Sequence, residues 1–342
     1  MRGEKCCCSV KDGSIPEAST ALSFKDILGA CKIRLGIDRM NYRVEPGLYS
    51  VGRPDGGSPV LVSANYKLTV DAVRKNLDGL NCWLLILDTK GVNVWCAAGK
   101  GTFGTEELVK RIEAVKLSEV VNHRELILPQ LGAPGVAANE VTGRTGFSVI
   151  YGPVRSADIQ AFISAGNKAT EEMRLIKFTF TDRLVLTPME IVPAVKKSLQ
   201  VFSVLFLTNL FAKRPFTKHD VAAYIGAVFV GSVITPLLLP YIPGKAFSIK
   251  GWQLGFGWTA AYLVLTKGFA ESNRFLSAGK LFLLPCVSSY HALNFTGSST
   301  YTSHSGVKKE IEQILPFMAG IAAIGAAFLL FAHLFGIGAK SK

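Results

Sequence analysis

The sequence predicts an α/β domain with a parallel sheet, followed by an all-α transmembrane domain. Two observations support this prediction. Short apolar runs alternate with helix-like segments in the first half of the chain, which is the pattern of a three-layer α/β domain. After Lys197, long apolar runs follow one another, separated by short basic loops. The 342 residues suffice for about two domains of roughly 150 residues each. We place these domains at 58–190 and 195–338, after a partly irregular N-terminal extension at 1–57.

Four apolar runs are the predicted strands of the sheet. The run from Asn81 to Leu87 is continuously apolar and stops at Asp88, which is typical of a parallel strand buried on both faces. In such a sheet, ligands lie at the carboxyl ends of the strands, on the loops that follow them. We predict strands at 59–63, 81–87, 125–128 and 148–151, helices at 24–31, 69–77, 106–115 and 156–165, and a further strand within 174–189.

The second half predicts about five membrane-spanning helices. A helix needs about 20 apolar residues to cross the hydrocarbon core of a bilayer. The third apolar run, 247–266, carries Trp252 and Trp258, which suit the lipid–water interface. The fourth run, 280–295, is interrupted by Ser288 and His291, so four spans are the alternative. The predicted spans are 195–212, 221–242, 247–266, 280–295 and 314–337.

The net charge of +13 fits membrane lipid better than nucleic acid as a partner. Many basic residues flank the apolar runs, where cations meet anionic headgroups, and no nucleic-acid-binding motif accompanies them. Basic loops do not fix the orientation, because both sets of loops carry them. Residues 1–30 lack the apolar segment of an export signal. We therefore expect a multi-pass protein of the cell (inner) membrane, with its α/β domain in the cytoplasm.

The seven cysteines argue against a built-in zinc site or iron–sulfur cluster. They stand at positions 6, 7, 8, 31, 82, 96 and 286, and no two form a Cys-x-x-Cys pair. The adjacent Cys6, Cys7 and Cys8 are suited to a soft metal by chemistry, but three neighbouring side chains do not easily converge on one ion.

The segment after the 81–87 run is the most informative part of the sequence. Asn93 is a good N-cap, and its side-chain oxygen is expected to accept from the amide of Trp95 or Cys96. Cys96 then lies in the first turn of a short helix, where the helix dipole favours a thiolate. Small residues follow it and allow a large flat ligand to approach, and Gly99 and Gly101 end the turn. Thr105 is expected to cap the next helix.

Cys96 and the glycines around it also invite three other interpretations. A phosphate-binding loop would need glycine where Val94 stands and Ser or Thr where Gly101 stands. A nucleophilic cysteine would need a histidine base, and His123 is the only histidine in this domain. A buried structural cysteine stays open on composition alone. An Asp-x-His-x-x-Gly run for a histidine-ligated cobalamin does not occur.

The stretch 93–100 resembles the signature of the mercury-methylating corrinoid proteins. That signature is asparagine, an aliphatic residue, tryptophan, cysteine, alanine, a small residue, glycine and lysine, and this chain matches it at each position. The longer stretch 65–105 also resembles the corrinoid domain of the corrinoid iron–sulfur protein of the acetyl-CoA pathway. The resemblance covers about residues 58–190, and the apolar C-terminal half is similar only to the mercury family.

The resemblance implies a Rossmann-like corrinoid-binding domain that holds a cobalamin-type corrinoid base-off. Cys96 would be the catalytic residue and the lower axial ligand of cobalt. The loops at 130–136 and 151–153 would approach the ring or its nucleotide tail, although ordinary strand-to-helix turns are the alternative. The implied cofactor contacts are Asn93, Val94, Trp95, Cys96, Ala97, Ala98, Gly99, Lys100, Gly101, Thr102, Gly132, Gly135, Val136, Tyr151 and Gly152.

The resemblance further implies a methyltransferase. A methyl group would pass from a methyl-cobalt(III) corrinoid to Hg(II), giving methylmercury. The implied partners are a ferredoxin-like protein with two 4Fe-4S clusters, as reductant and Hg(II) donor, and a methyltetrahydrofolate-linked methyl donor. Two alternatives stay open: a membrane-tethered corrinoid methyl carrier of one-carbon metabolism, and a non-catalytic corrinoid-binding membrane sensor.

Overall fold

The computed structural model describes residues 15–39, 41–271 and 274–335, and the chain divides into two compact units, Met1–Ile176 and Lys177–Lys342. The cysteine triplet at 6–8 and the last residues of the fifth predicted span lie outside the described residues. The boundary between the two units follows Ile176, whereas the α/β domain was placed at 58–190. The long helix that begins at Phe180 belongs to the second unit.

The first unit is built on a five-stranded, mostly parallel sheet in the order β1-β3-β2-β4-β5. The strands β2, β3, β4 and β5 agree with the four predicted runs to within a residue. The added strand β1 runs antiparallel to β3, so that Gly47 lies opposite Ile86. The strands are β1 (Gly47–Val51), β2 (Val60–Ala64), β3 (Cys82–Leu87), β4 (Glu125–Leu128) and β5 (Ser148–Tyr151).

Helices cover both faces of this sheet, as the three-layer prediction requires. Side chains of β3 alternate between two apolar clusters: Leu85 and Leu87 pack with Leu108 of the helix Thr105–Ala114, whereas Leu84 and Ile86 pack with Phe162 on the other face. The helices of this unit are α1 (Phe24–Arg34), α2 (Lys67–Lys75), α3 (Val94–Gly99), α4 (Thr105–Ala114), α5 (Leu117–Val120), α6 (Ala138–Thr145), α7 (Ile159–Ser164) and α8 (Glu171–Arg174).

Two of the predicted details are wrong. The further strand within 174–189 is not a strand: α8 ends at Arg174, and a helix starts at Phe180 behind a capping box of Thr179 and Asp182. The N-cap residue of α4 is Gly104 and not Thr105. The hydroxyl oxygen of Thr105 instead accepts a hydrogen bond from the amide of Ala137 at 2.9 Å.

The N-terminal extension belongs to the sheet more closely than the division at residue 57 implies. Besides contributing β1, it contributes α1, whose Asp26 joins a buried cluster of four charges. Lys67 Nζ lies 2.6 Å from Asp26 and 2.5 Å from Asp71, and Arg74 lies 2.7 Å from each carboxylate. Because all four side chains are at most 8% exposed, this cluster fixes α1 against α2.

The second unit is helical throughout its regular structure. Its helices are α9 (Phe180–Phe211), α10 (Lys218–Phe229), α11 (Thr235–Leu238), α12 (Phe247–Leu265), α13 (Gly268–Glu271), α14 (Arg274–Asn294), α15 (His304–Lys309) and α16 (Leu315–Phe335). Two π-helical turns, Val230–Ile234 and Glu310–Ile314, join α10 to α11 and α15 to α16.

Among the described residues, three helical segments are long and apolar enough to cross a membrane: Phe180–Phe211, Lys218–Leu238 and Ser305–Phe335. The helices α12 and α14 occupy the third and fourth predicted spans and are of sufficient length, but they are less apolar and are not among these three. Five spans are therefore not confirmed, and the number that crosses a bilayer stays a prediction.

Candidate functional site: the cap at the carboxyl edge of the sheet

The predicted short helix after β3 is present as α3, and its start is held as expected. The amide of Cys96 donates to Asn93 Oδ1 at 2.9 Å, which is the bond that an asparagine N-cap makes. Gly101, at φ +76°, ends the turn in a conformation that favours glycine. We call the segment from Asn93 to Gly101 the cap.

The cap has one buried and one exposed face. Val94, Ala97 and Ala98 are buried in the main core of the unit, whereas Trp95 is 42% exposed and Cys96 is exposed beside it. Gly99, Lys100 and Gly101 are exposed as well, and Thr102 is half-buried. A flat ligand on the outer face would therefore contact Trp95 and Cys96. The small side chains of Ala97 and Ala98 point into the core, so they serve the packing of the cap.

Asn65, at the end of β2, positions the loop that leads into the cap. Its Oδ1 accepts from the amides of Thr89 and Gly91 at 3.1 and 3.0 Å, and its Nδ2 donates to Asp88 at 3.1 Å. The residue is only 1% exposed. Sequence reasoning used Asn65 only as part of the resemblance, although a polar residue directly after a buried strand is a signal for such a role.

We expect Asn65→Ala to loosen the cap without unfolding the sheet. The substitution leaves the buried Gly91 amide without its acceptor, at a cost of about 1–3 kcal/mol. It also removes one of the two acceptors of the Thr89 amide, which keeps its bond to the Leu87 carbonyl. Hydrogen exchange in the intact chain should then accelerate across residues 88–96 and change little across β3. Asn139→Ala, at an exposed position of α6, is the control. Equal protection of residues 88–96 in both variants would contradict the positioning role.

The loop 130–136 packs against the cap. A Cβ on Gly135 would lie 3.1 Å from the Cα of Ala98 in the cap and 2.1 Å from the carbonyl oxygen of Phe103, which follows the cap. A Cβ on Gly132 would lie 2.5 Å from the ring of Phe103. Val136 is buried in the same core, and its carbonyl accepts from the Tyr151 hydroxyl at 2.9 Å. The structure thus brings these predicted contact residues behind the cap, where they support it.

Gly135→Ala should displace the cap, because the new methyl group meets backbone atoms that have little freedom to move. We expect a loss of about 1–3 kcal/mol in the free energy of unfolding, as for other overpacked sites. Gly143→Ala is the matched control: this glycine lies inside α6, and a Cβ there meets nothing within 4 Å. Thermal unfolding of the two variants should therefore differ clearly, and equal midpoints would contradict the packing argument.

A cavity of about 380 Å³ opens beside the cap at the carboxyl ends of the strands. Ser63 lines it with a hydroxyl oxygen that is fully buried and has no hydrogen-bond partner among the described residues. Gly152 also lines the cavity, while its amide donates to Leu128 at 2.8 Å. The other lining residues are mostly apolar and include Leu61, Tyr66, Leu68, Thr69, Ala72, Val73, Asn93, Val94, Trp95, Leu131, Pro153 and Ile159.

This arrangement fits part of a corrinoid. The orphaned Ser63 hydroxyl and the apolar walls suit an organic group with few polar atoms, of the kind that concave sites generally take. The cavity reaches Asn93 and Trp95 of the cap, so a ring placed over the exposed face of the cap would have one edge at the cavity. On that face the Cys96 thiol would be the soft donor for a cobalt ion.

Cys82 and His123 are excluded as a nucleophile and as a base by their surroundings. Burial raises the pKa of Cys82 to about 12, so this thiol stays protonated within β3. His123 lies before β4, at the opposite edge of the sheet from the cap. Its Nε2 donates to the Ser58 carbonyl at 2.9 Å, and its Nδ1 accepts from the Glu125 amide at 3.2 Å. Both ring nitrogens are therefore committed to holding the chain.

Comparisons with known proteins match the first unit. Residues 31–163 match the family model described as the CO dehydrogenase/acetyl-CoA synthase delta subunit. The acetyl-CoA decarbonylase/synthase complex subunit gamma of Methanopyrus kandleri is 37% identical over 122 residues, which is 35% of this chain and 26% of that protein. The corrinoid/iron–sulfur protein large subunit of Moorella thermoacetica is 33% identical over 125 residues, which is 36% of this chain and 28% of that protein.

The chain thus spans about a quarter of the length of the curated relatives that it matches. The matched segment begins at residue 31, earlier than the resemblance placed at 58–190, and so includes β1. It also contains the cap and the strands whose ends form the cavity. The first unit of this chain is therefore related to the large subunit of a corrinoid/iron–sulfur protein and to acetyl-CoA decarbonylase/synthase gamma subunits.

Proposed function

We propose that this chain is a membrane-anchored corrinoid methyltransferase that transfers a methyl group to Hg(II), with the Cys96 thiolate as the lower axial ligand of cobalt. The observation that carries the proposal is an exposed cysteine on a cap whose other face is locked into the core. The eight-residue resemblance at 93–100 and the corrinoid-named relative support it.

A bound corrinoid would supply the methyl–cobalt bond that is broken in the transfer. Hg(II) is an electrophile and must receive the methyl group with bonding electrons. Cys96 would hold the cobalt and would favour this direction, because a thiolate is an electron-rich donor and the ligands of a bound metal tune its reactivity. Asn93 fixes the backbone of Cys96, Trp95 offers an aromatic face beside it, and the cavity at Ser63 would take a peripheral group of the cofactor.

The other parts of the proposal concern partners and location. We propose that the electrons needed by a bound corrinoid would come from a separate protein, the ferredoxin-like partner with two 4Fe-4S clusters. A methyltetrahydrofolate-linked donor would supply the methyl group. The apolar helices would hold the chain in the inner membrane, with the α/β unit in the cytoplasm.

The second candidate function is that of a membrane-tethered methyl carrier in one-carbon metabolism. The names of the relatives favour it, since they are subunits of acetyl-CoA decarbonylase/synthase complexes and of a corrinoid/iron–sulfur protein. This candidate uses the same cofactor site and differs in the acceptor, which would be a nickel centre or a thiol.

The deciding experiment measures which acceptor receives the methyl group. We would express the full chain with its ferredoxin-like partner in an anaerobic host, confirm that a corrinoid is bound, and supply a methyl donor with isotopically labelled Hg(II). Labelled methylmercury, produced over many turnovers, is the expected result. Methyl transfer to a nickel centre or thiol without methylmercury would replace the proposal by the carrier. Corrinoid binding without turnover on any acceptor would replace it by the sensor.

A further inference from the structure

The outer face of α1 is apolar although it is exposed. Phe24, Ile27 and Leu28 are exposed by 77, 52 and 44%, and Leu35, the residue that directly follows the helix, is exposed by 45%. Their spacing of three, four and seven residues places them on one side of the helix, and the exposed Cys31 lies in the same stripe. Soluble proteins seldom expose contiguous apolar surface of this kind unless it binds something.

The helix cannot turn this face inward. Its inner side carries Asp26 and Ile33, which are 5 and 2% exposed, and Asp26 is paired with Lys67 and Arg74 in the buried charge cluster. Gly29 also faces inward, where a Cβ would lie 2.2 Å from the hydroxyl of Tyr42. Rotation would leave buried charges unpaired, at a cost of several kcal/mol.

Cations flank the apolar stripe on both sides. At 100° per residue, Lys25 and Lys32 fall on one flank of the stripe and Arg34 falls on the other. Asp26 is the only carboxylate of α1 and points to the opposite side. An apolar face bordered by lysine and arginine is the pattern of a helix that lies in the plane of a membrane, with its cations at the lipid phosphates. Three cations, with the single carboxylate turned inward, make the outer side of α1 positive, which complements anionic headgroups.

We propose that α1 lies in the headgroup region of an anionic bilayer, with Phe24, Ile27, Leu28 and Leu35 among the lipid chains and its cations on the phosphates. This inference rests on the membrane location proposed above, since the apolar helices of the second unit would keep the first unit within reach of the lipid. The contact would give the α/β unit a second point of attachment besides its covalent link.

The test uses the full chain in nanodiscs that contain phosphatidylcholine either alone or with phosphatidylglycerol. A photo-crosslinking p-benzoylphenylalanine replaces Phe24, and the same group at the exposed Glu113 of α4 is the control. Mass spectrometry should find lipid adducts at position 24 in several-fold excess over position 113. Lys25→Glu with Lys32→Glu should reduce the adducts in the anionic nanodiscs only.

Two other outcomes would overturn the inference. Adducts from position 24 to a protein, whether a second copy of the chain or its own second unit, would identify a protein-binding face. Equal adducts at positions 24 and 113 would show that α1 has no lipid contact of its own. Co-elution of the chain with the nanodiscs is read separately, so failure of membrane anchoring is distinguishable from failure at α1 alone.

Discussion

Cys96→Ala should reduce methylmercury formation by at least about 100-fold, because residues that only support a metal ligand already cost roughly 10- to 100-fold when they are lost. The fold should survive the change. Cys96 is exposed, its backbone is held by Asn93, and alanine is the best helix former. The loss should therefore reflect cobalt ligation. The measurement is labelled methylmercury per bound corrinoid, together with the visible absorption spectrum of that corrinoid, which should change when the axial sulfur is removed.

Cys31→Ala is the matched control, because Cys31 is the other exposed cysteine among the described residues of the first unit. It should leave both the product and the spectrum unchanged. Trp95→Phe keeps an aromatic face beside the thiol and should retain the spectrum of a sulfur-ligated cobalt. If Cys96→Ala makes as much methylmercury as the unaltered chain, or leaves the spectrum unchanged, Cys96 is not the cobalt ligand.

Lys67→Met should have the largest effect on stability. It removes one of two cations from the buried cluster, so that Asp26 and Asp71 share Arg74 alone. Breaking a buried pair in this way costs about 3–5 kcal/mol, since a charge is left uncompensated. Hydrogen exchange across β3, followed in the full chain, should accelerate by the factor that corresponds to this loss. The shape of the cavity should also change, because Leu68, Thr69 and Ala72 of α2 line it.

Two further variants separate charge from packing. Lys75 is exposed on the same helix. Lys75→Met should therefore change the free energy of unfolding by less than about 0.5 kcal/mol. Combining Lys67→Met with Asp26→Asn removes one charge of each sign and should recover part of the loss. If the double variant is less stable than Lys67→Met alone, the unpaired charge is not the cause.

The same cluster should make the first unit sensitive to acid. Burial alone would raise the pKa of Asp26, but hydrogen bonds from Lys67, Ser23 and Arg74 outweigh it and hold this pKa well below its ordinary value. The ionised form therefore stabilises the fold above the unfolded-state pKa of about 3.9. That contribution falls as the pH drops below this value. Unfolding measured between about pH 5 and pH 2 should show a smaller pH dependence in Asp26→Asn than in the unaltered chain.

The parallel core of the fold was predictable from the sequence because its strands are buried on both faces. A run such as 81–87 has no polar side to confuse the pattern, and the loop after it begins with Asp88. The cap was predictable for a different reason: Asn93 and Gly101 mark its ends by local backbone chemistry, which needs no tertiary information.

The features that escaped sequence reasoning depend on contacts between distant residues. The strand β1 has the mixed composition Gly-Leu-Tyr-Ser-Val and is defined by its antiparallel pairing with β3. The charges of Asp26 and Lys67 look solvated in the sequence, and only the packing of α1 on α2 buries them. The interpretation of 174–189 as a strand failed because its apolar residues gave weight to an extended pattern, whereas the capping box at Thr179 commits the segment to a helix.

The buried face of the cap restricts which residues can be substituted there, whereas the exposed face does not. Any protein that seats this turn needs small or apolar residues where Val94, Ala97 and Ala98 are buried, and needs glycine at 135, whatever chemistry it performs. Those positions should be shared by methyl carriers and mercury methylators alike. The residue at 96 is exposed and lies outside the core, and in the proposed function it would contact the cofactor. A single codon there is thus enough to exchange one axial ligand for another, so new reactivity could arise in this scaffold without a period of compromised folding.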